Sequence, residues 1–392
     1  MQPIAIHADR AFTPFEEISD AVVVIQGSKI TDVGRRGAVV LPRGVREVVT
    51  RGKTVVPGFV DVHIHGAGGH DVMEGTTQAL EVVAATIASH GTTSLVATTV
   101  TASEMETCES VGNIARFSLK SGQAATRELQ AEIVGIHFEG PFISPARRGV
   151  HPLEWIVAPS EALLSSLLRE ARGMGQILTL APELPGALEL ISAARRGGLV
   201  VSLGHTDATY EQARAAIEAG ATHAAHVYNA MRPFSHRGTG VIGAVLTSPE
   251  VSAELIADGV HVDEPAMRML IELKSADRVI LVSDGISATG MPDGKYRLGT
   301  FQVTVKGGVC RNAQGKLAGS TLTLDRALRN VVALGVPLAS ALRMVTANPA
   351  QQIGLGSRKG VLAAGADADL VFLDDKLEIS GVMTRGAGLT LP

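Results

Sequence analysis

The chain has 392 residues, with 35 Lys plus Arg against 39 Asp plus Glu. This length leaves ample material for a core, which argues against disorder, and a small acidic excess without a basic block excludes a nucleic-acid-binding surface. Aromatic residues make up only 3% and charged residues 19%, while glycine is plentiful, which is typical of a compact enzyme with many tight turns.

Targeting signals and membrane spans are not evident in the sequence. Residues 1–13 lack the charged-then-apolar pattern of a secretion signal, and each apolar stretch is interrupted before the roughly 20 residues that a membrane span requires. The chain contains two cysteines, Cys108 and Cys310. These features predict a cytoplasmic protein without disulfides and without membrane contact.

The two ends of the chain share one pattern. Short alternating segments, such as residues 21–26, 38–41 and 47–49, are separated by turn residues, and apolar strands recur near the other end at 370–373 and 381–385. Neither end has enough apolar surface to fold alone. We therefore predict one small β-sandwich domain built from residues 1–55 and 356–392.

Between the ends, residues 56–355 alternate apolar strand-length runs with helix-length segments, the pattern of a parallel sheet. Eight such units predict an α/β protein with a (β/α)8 TIM barrel. The predicted strands are residues 59–65, 93–99, 133–139, 177–181, 199–205, 221–226, 251–258 and 279–284. The predicted helices, rich in Ala and Leu, are residues 77–89, 103–119, 160–171, 210–219, 264–273, 324–334 and 338–346.

The first barrel strand ends in an H-x-H motif within P-G-F-V-D-V-H-I-H-G, residues 57–66. Alternate residues of a strand point the same way, so His63 and His65 would lie about 7 Å apart at their Cα atoms, close enough to share a metal ion. The H-x-H spacing alone leaves an alternative, in which the two histidines are ordinary polar residues at a strand end and bind no metal.

Acidic and imidazole side chains also end five other predicted strands. Chemistry in such barrels sits at the carboxyl ends of the strands, so this distribution predicts a metal-dependent active site. The strand-end residues are His63, His65, Glu139, His205, His226, Asp258 and Asp284.

Imidazole and carboxylate groups bind divalent ions such as Zn²⁺, which lower the pKa of a bound water. Glu139, His205 and His226 supply one ligand set. His63 and His65 would build a second metal position. The fourth predicted strand has no lysine that could bridge two ions, so we expect the two positions to share the Glu139 carboxylate.

Asp284 has no basic neighbour in sequence, so we expect it to take a proton from the water and return it to the leaving amine. A helix cap or turn is the alternative role for this aspartate.

Six segments carry a more specific signal. They are H-F-E-G-P-F-I-S (137–144), G-H-T-D-A (204–208), H-V-Y-N-A-M (226–231), D-G-V-H-V (258–262), V-S-D-G (282–285) and L-A-G-S-T-L (317–322). In this order they resemble the N-acetylglucosamine-6-phosphate deacetylases of the amidohydrolase superfamily. The resemblance covers nearly the whole chain. It implies hydrolysis of N-acetyl-D-glucosamine 6-phosphate to D-glucosamine 6-phosphate and acetate, by a metal-activated hydroxide with Asp284 as general base and then acid.

The resemblance also implies roles for individual residues. It makes Glu139, His205 and His226 metal ligands, and it implies a homodimer in which Arg237 or His261 serves the site of the neighbouring subunit. A guanidinium such as that of Arg237 suits a phosphate group. The implied substrate contacts are Val150, His151, Asn229, Ala230, Arg237, Asp258, His261, Leu317, Ala318 and Gly319.

The number and identity of the ions stay open. Members of the family differ at the first strand, so the resemblance implies one or two ions per subunit. Nitrogen and oxygen ligands accept Zn, Fe, Mn or Co, and Zn is the expected ion. The segment G-M-P-D-G, residues 290–294, follows the last predicted strand and is either part of a lid or an ordinary turn.

Two other functions remain open. A different amidohydrolase reaction, such as cyclic-amide hydrolysis or deamination, would use the same metal without requiring a phosphate. A barrel that serves in assembly or regulation would have lost ligands, whereas this chain retains them. The residues do not decide between glucosamine and galactosamine derivatives.

Overall fold

The computed structural model of the chain describes residues 2–123 and 128–389. Met1 and residues 390–392, the outer ends of the predicted terminal domain, lie outside the described residues. The chain begins with four strands, β1 (Ile4–Phe12), β2 (Glu17–Gln26), β3 (Lys29–Arg35) and β4 (Arg46–Pro57).

The central part of the chain forms a barrel. Its strands and one short hairpin are β5 (Phe59–Ile64), β6 (Gly66–Ala67), β7 (His70–Asp71), β8 (Thr92–Thr99), β9 (Glu132–Glu139), β10 (Gly175–Leu180), β11 (Val200–Leu203), β12 (His223–Ala224), β13 (Ser252–Leu255) and β14 (Val279–Leu281). β5 and β8 to β14 form one eight-stranded sheet in chain order, paired in parallel. A parallel bridge between Ile64 and Gly285 closes the sheet. The predicted (β/α)8 barrel is confirmed.

Helices cover the outside of this sheet. They are α1 (Thr77–Ser89), α2 (Glu104–Gln123), α3 (Glu161–Ala171), α4 (Ala187–Arg196), α5 (Tyr210–Glu218), α6 (Gly240–Thr247), α7 (Glu264–Lys274), α8 (Leu324–Ala333), α9 (Leu338–Val345) and α10 (Ala347–Gln352), with short 3-10 turns at Val72–Glu74, Pro145–Arg147 and Leu153–Trp155. Every predicted helix is present. The prediction missed α4, α6 and α10; α6 is buried on almost every side and so lacks the polar face that marks an amphipathic helix.

An antiparallel insert of three strands, which the sequence did not predict, follows the barrel's last strand. Its strands are β15 (Gly294–Leu298), β16 (Phe301–Lys306) and β17 (Val309–Asn312). Leu298 and Val303 of the insert pack with Val100 and Ile286. Residues 290–293 form a turn and bends that lead into β15, and their role in a lid stays a prediction.

The chain ends contribute to one sheet. Strands β18 (Leu370–Leu373) and β19 (Ile379–Met383) join the N-terminal strands in the order β19-β18-β4-β1-β2-β3. Ile6, Val23 and Phe372 are among the buried side chains of its core. The predicted combination of the two chain ends in one small β domain is confirmed. The predicted segment 38–41 is not a strand but a loop.

A buried cluster of charges joins the terminal sheet to the barrel. Nζ of Lys359 lies 2.6 Å from Glu132 Oε2, 2.9 Å from Asp367 Oδ2 and 2.7 Å from Asp369 Oδ2. Glu132 begins β9, whereas Asp369 directly precedes β18. Burial alone would lower the pKa of Lys359, but the carboxylates outweigh it and raise the pKa, so this lysine stays charged.

Two further observations concern predictions on redox state and membranes. Cys108 and Cys310 are both free, as expected. No helix in the described part of the chain combines the length and the apolar character that crossing a bilayer requires.

Candidate metal centre and active site

A cavity of about 210 Å³ lies where the barrel strands end. It gathers most of the residues that the sequence assigned to the site. The predicted site residues that line it are His65, Glu139, Val150, His151, His205, His226, Asn229, Ala230, His261, Asp284, Leu317, Ala318 and Gly319.

Glu139, the last residue of β9, is the centre of the cluster. Its Oε1 lies 3.1 Å from Nε2 of His205, 3.0 Å from Nε2 of His226 and 3.3 Å from Nε2 of His63. Its Oε2 lies 3.4 Å from Nε2 of His65. Side chains from distant parts of the sequence therefore converge within reach of a shared cation.

Three of the acidic and imidazole residues that line the cavity have a strained backbone conformation. His205, His226 and Asp284 lie just past the last paired residues of β11, β12 and β14, with φ angles of 47°, 27° and 47°. This left-handed region is uncommon for residues other than glycine and is a known form of strain at functional sites. The strands are accordingly shorter than predicted, because the chain leaves the sheet before it reaches these three residues.

The hydrogen bonds at Nδ1 orient the rings. Nδ1 of His65 lies 3.1 Å from the carbonyl of Thr98, and Nδ1 of His205 lies 3.0 Å from the carbonyl of Arg147. A carbonyl can only accept, so each Nδ1 carries the proton and each Nε2 can present a lone pair to the centre. Nδ1 of His63 is held in the same way by a carboxylate oxygen of Glu254, at 2.8 Å.

Electrostatics favour positive charge at this centre. Burial opposes it, but Glu254 and Glu139 outweigh burial and raise the pKa of His63 well above its usual value. In turn, His63 and His205 hold the pKa of Glu139 well below its usual value, against the effect of burial. Metal ions displace protons from such ligands, so a site that attracts a proton at Nε2 also suits a cation.

The donor set fits a divalent metal ion. Nε2 of His205 and Nε2 of His226 face each other at 3.2 Å, and Nε2 of His63 is buried without a hydrogen-bond partner among the described residues. Lone pairs this close repel unless a proton or cation lies between them. Groups whose ligand atoms lie within 4.8 Å of one another are His63–Glu139–His226, Glu139–His151–His205, His63–His65–Asp284 and His63–His137–Glu254. Mixed nitrogen and oxygen ligands suit Zn, Fe, Mn or Co.

Asp284 lies on the rim of this cluster. Its Oδ1 is 3.3 Å from Nε2 of His65 and 3.8 Å from Nε2 of His63. Burial alone would raise the pKa of Asp284, but the hydrogen bond with His65 and the charge of His63 lower it below its usual value. The side chain is therefore a carboxylate at neutral pH and can accept a proton.

His151 differs from the other imidazoles around Glu139. Its Nδ1 accepts a hydrogen bond from the Thr101 backbone N–H at 3.2 Å, so the proton of the neutral ring is on Nε2, 3.3 Å from Glu139 Oε2. Burial, only partly opposed by Glu139, lowers the pKa of His151 to about 4, which keeps the ring neutral. His151 thus offers the cavity an N–H donor, which suits a substrate oxygen better than a cation.

Asp258 is not in the cavity wall. Its Oδ1 accepts from the backbone N–H groups of Val260 and His261, both at 2.8 Å, and its Oδ2 lies 2.7 Å from Nδ1 of His261. The carboxylate therefore holds the His261 ring and leaves Nε2 for the cavity. Its place in the structure is behind a cavity residue rather than against a ligand.

Arg237 is also outside the cavity. It is exposed and lines a separate depression together with Tyr210, Arg232 and His236. Within one subunit, the structure does not bring this arginine to the cluster around Glu139. A contact between Arg237 and a ligand in the cavity would need a second subunit.

Sequence reasoning missed four residues at the site. Glu254 contacts His63 from behind, and Val100, Gly149 and Leu298 line the cavity. An acid within the otherwise small and apolar β13 segment S-A-E-L was a usable signal for Glu254. Leu298 lies in the insert, whose position against the barrel no local pattern indicates.

A sequence model of the amidohydrolase family matches residues 54–388. The chain belongs to the amidohydrolase family. This amidohydrolase is 38% identical over 351 residues to N-acetylglucosamine-6-phosphate deacetylase from Lysinibacillus sphaericus, which spans 88% of this chain and 87% of that protein. It is also 38% identical over 331 residues to N-acetylgalactosamine-6-phosphate deacetylase from Escherichia coli O157:H7, spanning 84% of this chain and 86% of that protein.

A solved structure of a deacetylase is similar to this chain over its whole length. A variant of N-acetyl-D-glucosamine-6-phosphate deacetylase from Mycobacterium smegmatis, in complex with N-acetyl-D-glucosamine-6-phosphate, superimposes on this amidohydrolase with a TM-score of 0.92 and 36% identity, covering 100% of both chains. The resemblance to this family of deacetylases that the motifs indicated is therefore confirmed.

Proposed function

We propose that this amidohydrolase removes the N-acetyl group of N-acetyl-D-glucosamine 6-phosphate and releases D-glucosamine 6-phosphate and acetate. The observation that carries the proposal is the convergence of Glu139, His205, His226 and Asp284 in one cavity. Relatives that match most of the chain are deacetylases of amino-sugar phosphates.

Glu139, His205 and His226 would hold one divalent cation, and His63 and His65 would hold a second that shares Glu139. Zinc suits this donor set, as do Fe, Mn and Co. When bound, such a cation lowers the pKa of a water molecule and polarises an amide carbonyl.

Asp284 moves the proton that the reaction requires. Its carboxylate accepts a proton from water as the water oxygen bonds to the acetyl carbon, and it returns that proton to the sugar nitrogen as the C–N bond breaks. The acetyl group leaves as acetate, and the nitrogen leaves as the amine of the sugar. The lowered pKa of Asp284 is consistent with its beginning the cycle ionised.

The remaining cavity residues position the sugar. His151 presents its Nε2–H and His261 presents its Nε2, so both can bond oxygen atoms of the substrate. The other proposed contacts are Val150, Asn229, Ala230, Leu317, Ala318 and Gly319, with Asp258 acting through His261.

We further propose a homodimer in which Arg237 binds the phosphate at the partner's site. Arg237 is exposed and separate from the cavity of its own subunit. Phe234, in the same loop, exposes 49% of its surface, and exposed aromatic residues are enriched in protein interfaces. Arginine binds phosphate through two parallel hydrogen bonds, which suits this role.

Two further proposals concern the location of the protein in the cell and its division into domains. We propose that the protein acts in the cytoplasm, where free cysteines such as Cys108 and Cys310 are usual. We also propose that residues 1–55 with 356–392, and residues 56–355, are its two domains.

The decisive experiment is an acetate-release assay on metal-loaded protein. The panel contains N-acetyl-D-glucosamine 6-phosphate, its galactosamine epimer and unphosphorylated N-acetyl-D-glucosamine. We expect rapid hydrolysis of a phosphorylated sugar and little of the unphosphorylated one. Hydrolysis of a cyclic amide or deamination without acetate release would favour another amidohydrolase reaction, and a fully metallated but inactive protein would favour a non-catalytic role.

A further inference from the structure

Glu254 is a completely buried carboxylate directly behind the metal-ligand cluster. Three donors of the described residues point at it. Its Oε2 lies 2.8 Å from Nδ1 of His63 and accepts from the backbone N–H of His226 at 2.9 Å, and its Oε1 lies 2.8 Å from Nε2 of His223. Glu254 does not line the cavity, so it can act on a ligand only through these neighbours.

We propose that Glu254 is a positioning residue that fixes the tautomer and the ring orientation of His63, and thereby sets the cation affinity of the position built from His63 and His65. The inference rests on the proposed metal site. A carboxylate can only accept, so the Nδ1 of His63 carries a proton and its Nε2 is directed at Glu139 Oε1, 3.3 Å away. Partners of this kind hold metal-binding imidazoles in place and raise their basicity.

The same carboxylate oxygen also restrains His226. The His226 backbone has a φ of 27°, and its N–H donates to Glu254 Oε2. One buried oxygen therefore holds the ring of one proposed ligand and the backbone of another. This shared acceptor couples the two ends of the cluster.

His63 differs from His65 and His205 in what holds it. Those two rings donate to the backbone carbonyls of Thr98 and Arg147, which the fold supplies whatever the side chain there is. The orientation of His63 instead depends on one replaceable side chain. A substitution of Glu254 therefore acts on the His63–His65 position through an imidazole ring, whereas it reaches the other proposed position only through the His226 backbone.

The test compares Glu254→Met, which removes the acceptor, with Glu254→Gln, which keeps one. The amide oxygen of glutamine can accept from both His63 and His226, while its amide nitrogen faces His223, whose Nδ1 is buried without a partner among the described residues and can take the proton. Zn²⁺ affinity is measured by competition with a chromophoric chelator, and Zn²⁺ content by elemental analysis. We expect the methionine variant to lose about 10- to 100-fold in affinity and the glutamine variant to stay near wild type.

Asp325→Asn is the matched control. Asp325 is a buried carboxylate in α8 that pairs with Arg329 at 2.9 Å and does not line the cavity. We expect it to lower the melting temperature without changing Zn²⁺ affinity. In a His63→Ala background, Glu254→Met should cause no further loss of Zn²⁺ from the His63–His65 position, because the residue through which Glu254 acts is gone.

A spectroscopic measurement covers the case in which Glu254→Met does not fold. In Zn²⁺-loaded wild type, ¹⁵N spectra of the histidine rings should show His63 protonated at Nδ1 and coordinated through Nε2, with His63→Ala giving the assignment. Coordination through Nδ1, a folded methionine variant with wild-type affinity, or a glutamine variant as weak as methionine would each overturn this inference alone. A wild-type protein that binds no Zn²⁺ would overturn the proposed function as well.

Discussion

The backbone N–H of Asp284 donates to the carbonyl oxygen of His63 at 2.9 Å. Beside it, the backbone N–H of His65 donates to the carbonyl oxygen of Gly285 at 2.8 Å. These bonds close the barrel between its first and last strands. Asp284, the proposed acid and base, and the two imidazoles of the H-x-H motif are therefore placed relative to each other by barrel closure itself.

Replacing Asp284 by Asn is expected to lower kcat by about 10²- to 10⁴-fold, because an amide cannot accept and return the proton. The Zn²⁺ content should stay at the wild-type level, since Glu139, His205 and His226 are unchanged. Acetate release and elemental analysis of the same preparation check both statements. Asp375→Asn, at an exposed position, is the control, and near-normal turnover of Asp284→Asn would remove Asp284 from its proposed role.

Removing the bound cations with a chelator is expected to abolish acetate release and to lower the melting temperature. A ligand that binds the folded state better than the unfolded state stabilises the fold by mass action. Far-UV circular dichroism should change little, because the barrel core does not depend on the cluster. Re-addition of Zn²⁺ should restore both activity and melting temperature, and full activity after complete removal would contradict the metal assignment.

Mixed dimers test the proposed sharing of Arg237. Arg237→Ala alone should raise KM for the phosphorylated sugar with little change in melting temperature, and Asp284→Asn alone should be inactive. A dimer with one subunit of each kind would contain one intact site if Arg237 acts across the interface, so turnover with the wild-type KM should reappear on mixing. No recovery, although mixed dimers are shown to form, would contradict a shared site; Arg51→Ala, exposed in the terminal sheet, is the control for KM.

Lys359→Met is expected to destabilise the protein by about 3–5 kcal/mol, because it removes the buried cation that pairs with Asp369 and that neutralises Glu132 and Asp367 together with Arg358. Lys29→Met provides a matched comparison. Lys29 also pairs with Asp367, at 2.6 Å, but 47% of its side chain is exposed, so its loss should cost at most about 1 kcal/mol. Urea unfolding curves measure both variants, and equal losses would show that burial of the charge is not the cause.

Lys274 should make the free energy of unfolding depend on pH in the alkaline range. Burial, and to a smaller extent the charge of Arg278, lowers the pKa of Lys274 to about 8. In the unfolded chain the pKa of a lysine is about 10.4. Between these values the unfolded state binds more protons, so this group contributes stability that rises with pH. The melting temperature of wild type minus that of Lys274→Met should therefore increase from pH 8 to pH 10. The exposed Lys295→Met should show no such trend.

The barrel was predictable because its strands are short buried apolar runs, which the sequence displays directly. The strand-end residues His205, His226 and Asp284 were identifiable for the same reason, since each follows such a run. Their left-handed backbone was not, because no glycine marks those positions and the surrounding structure imposes the conformation.

Long-range features escaped prediction. The role of Glu254 depends on His63 lying 2.8 Å away across the barrel interior, which only the closed sheet establishes. Leu298 reaches the cavity because a three-stranded insert folds over the barrel, and β15 itself is mostly polar. The separation of Arg237 from the cavity likewise follows from the path of an exposed loop rather than from its composition.

The terminal sheet also determines an order of events during synthesis. Strand β18 pairs with β4, with Leu370 opposite Pro57, and the whole barrel is encoded between them. While the ribosome makes that barrel, β4 has one open edge, and open edges invite pairing with other chains. A nascent chain that stalls before residue 370 would consequently be released with an adhesive strand, even if its barrel had already folded.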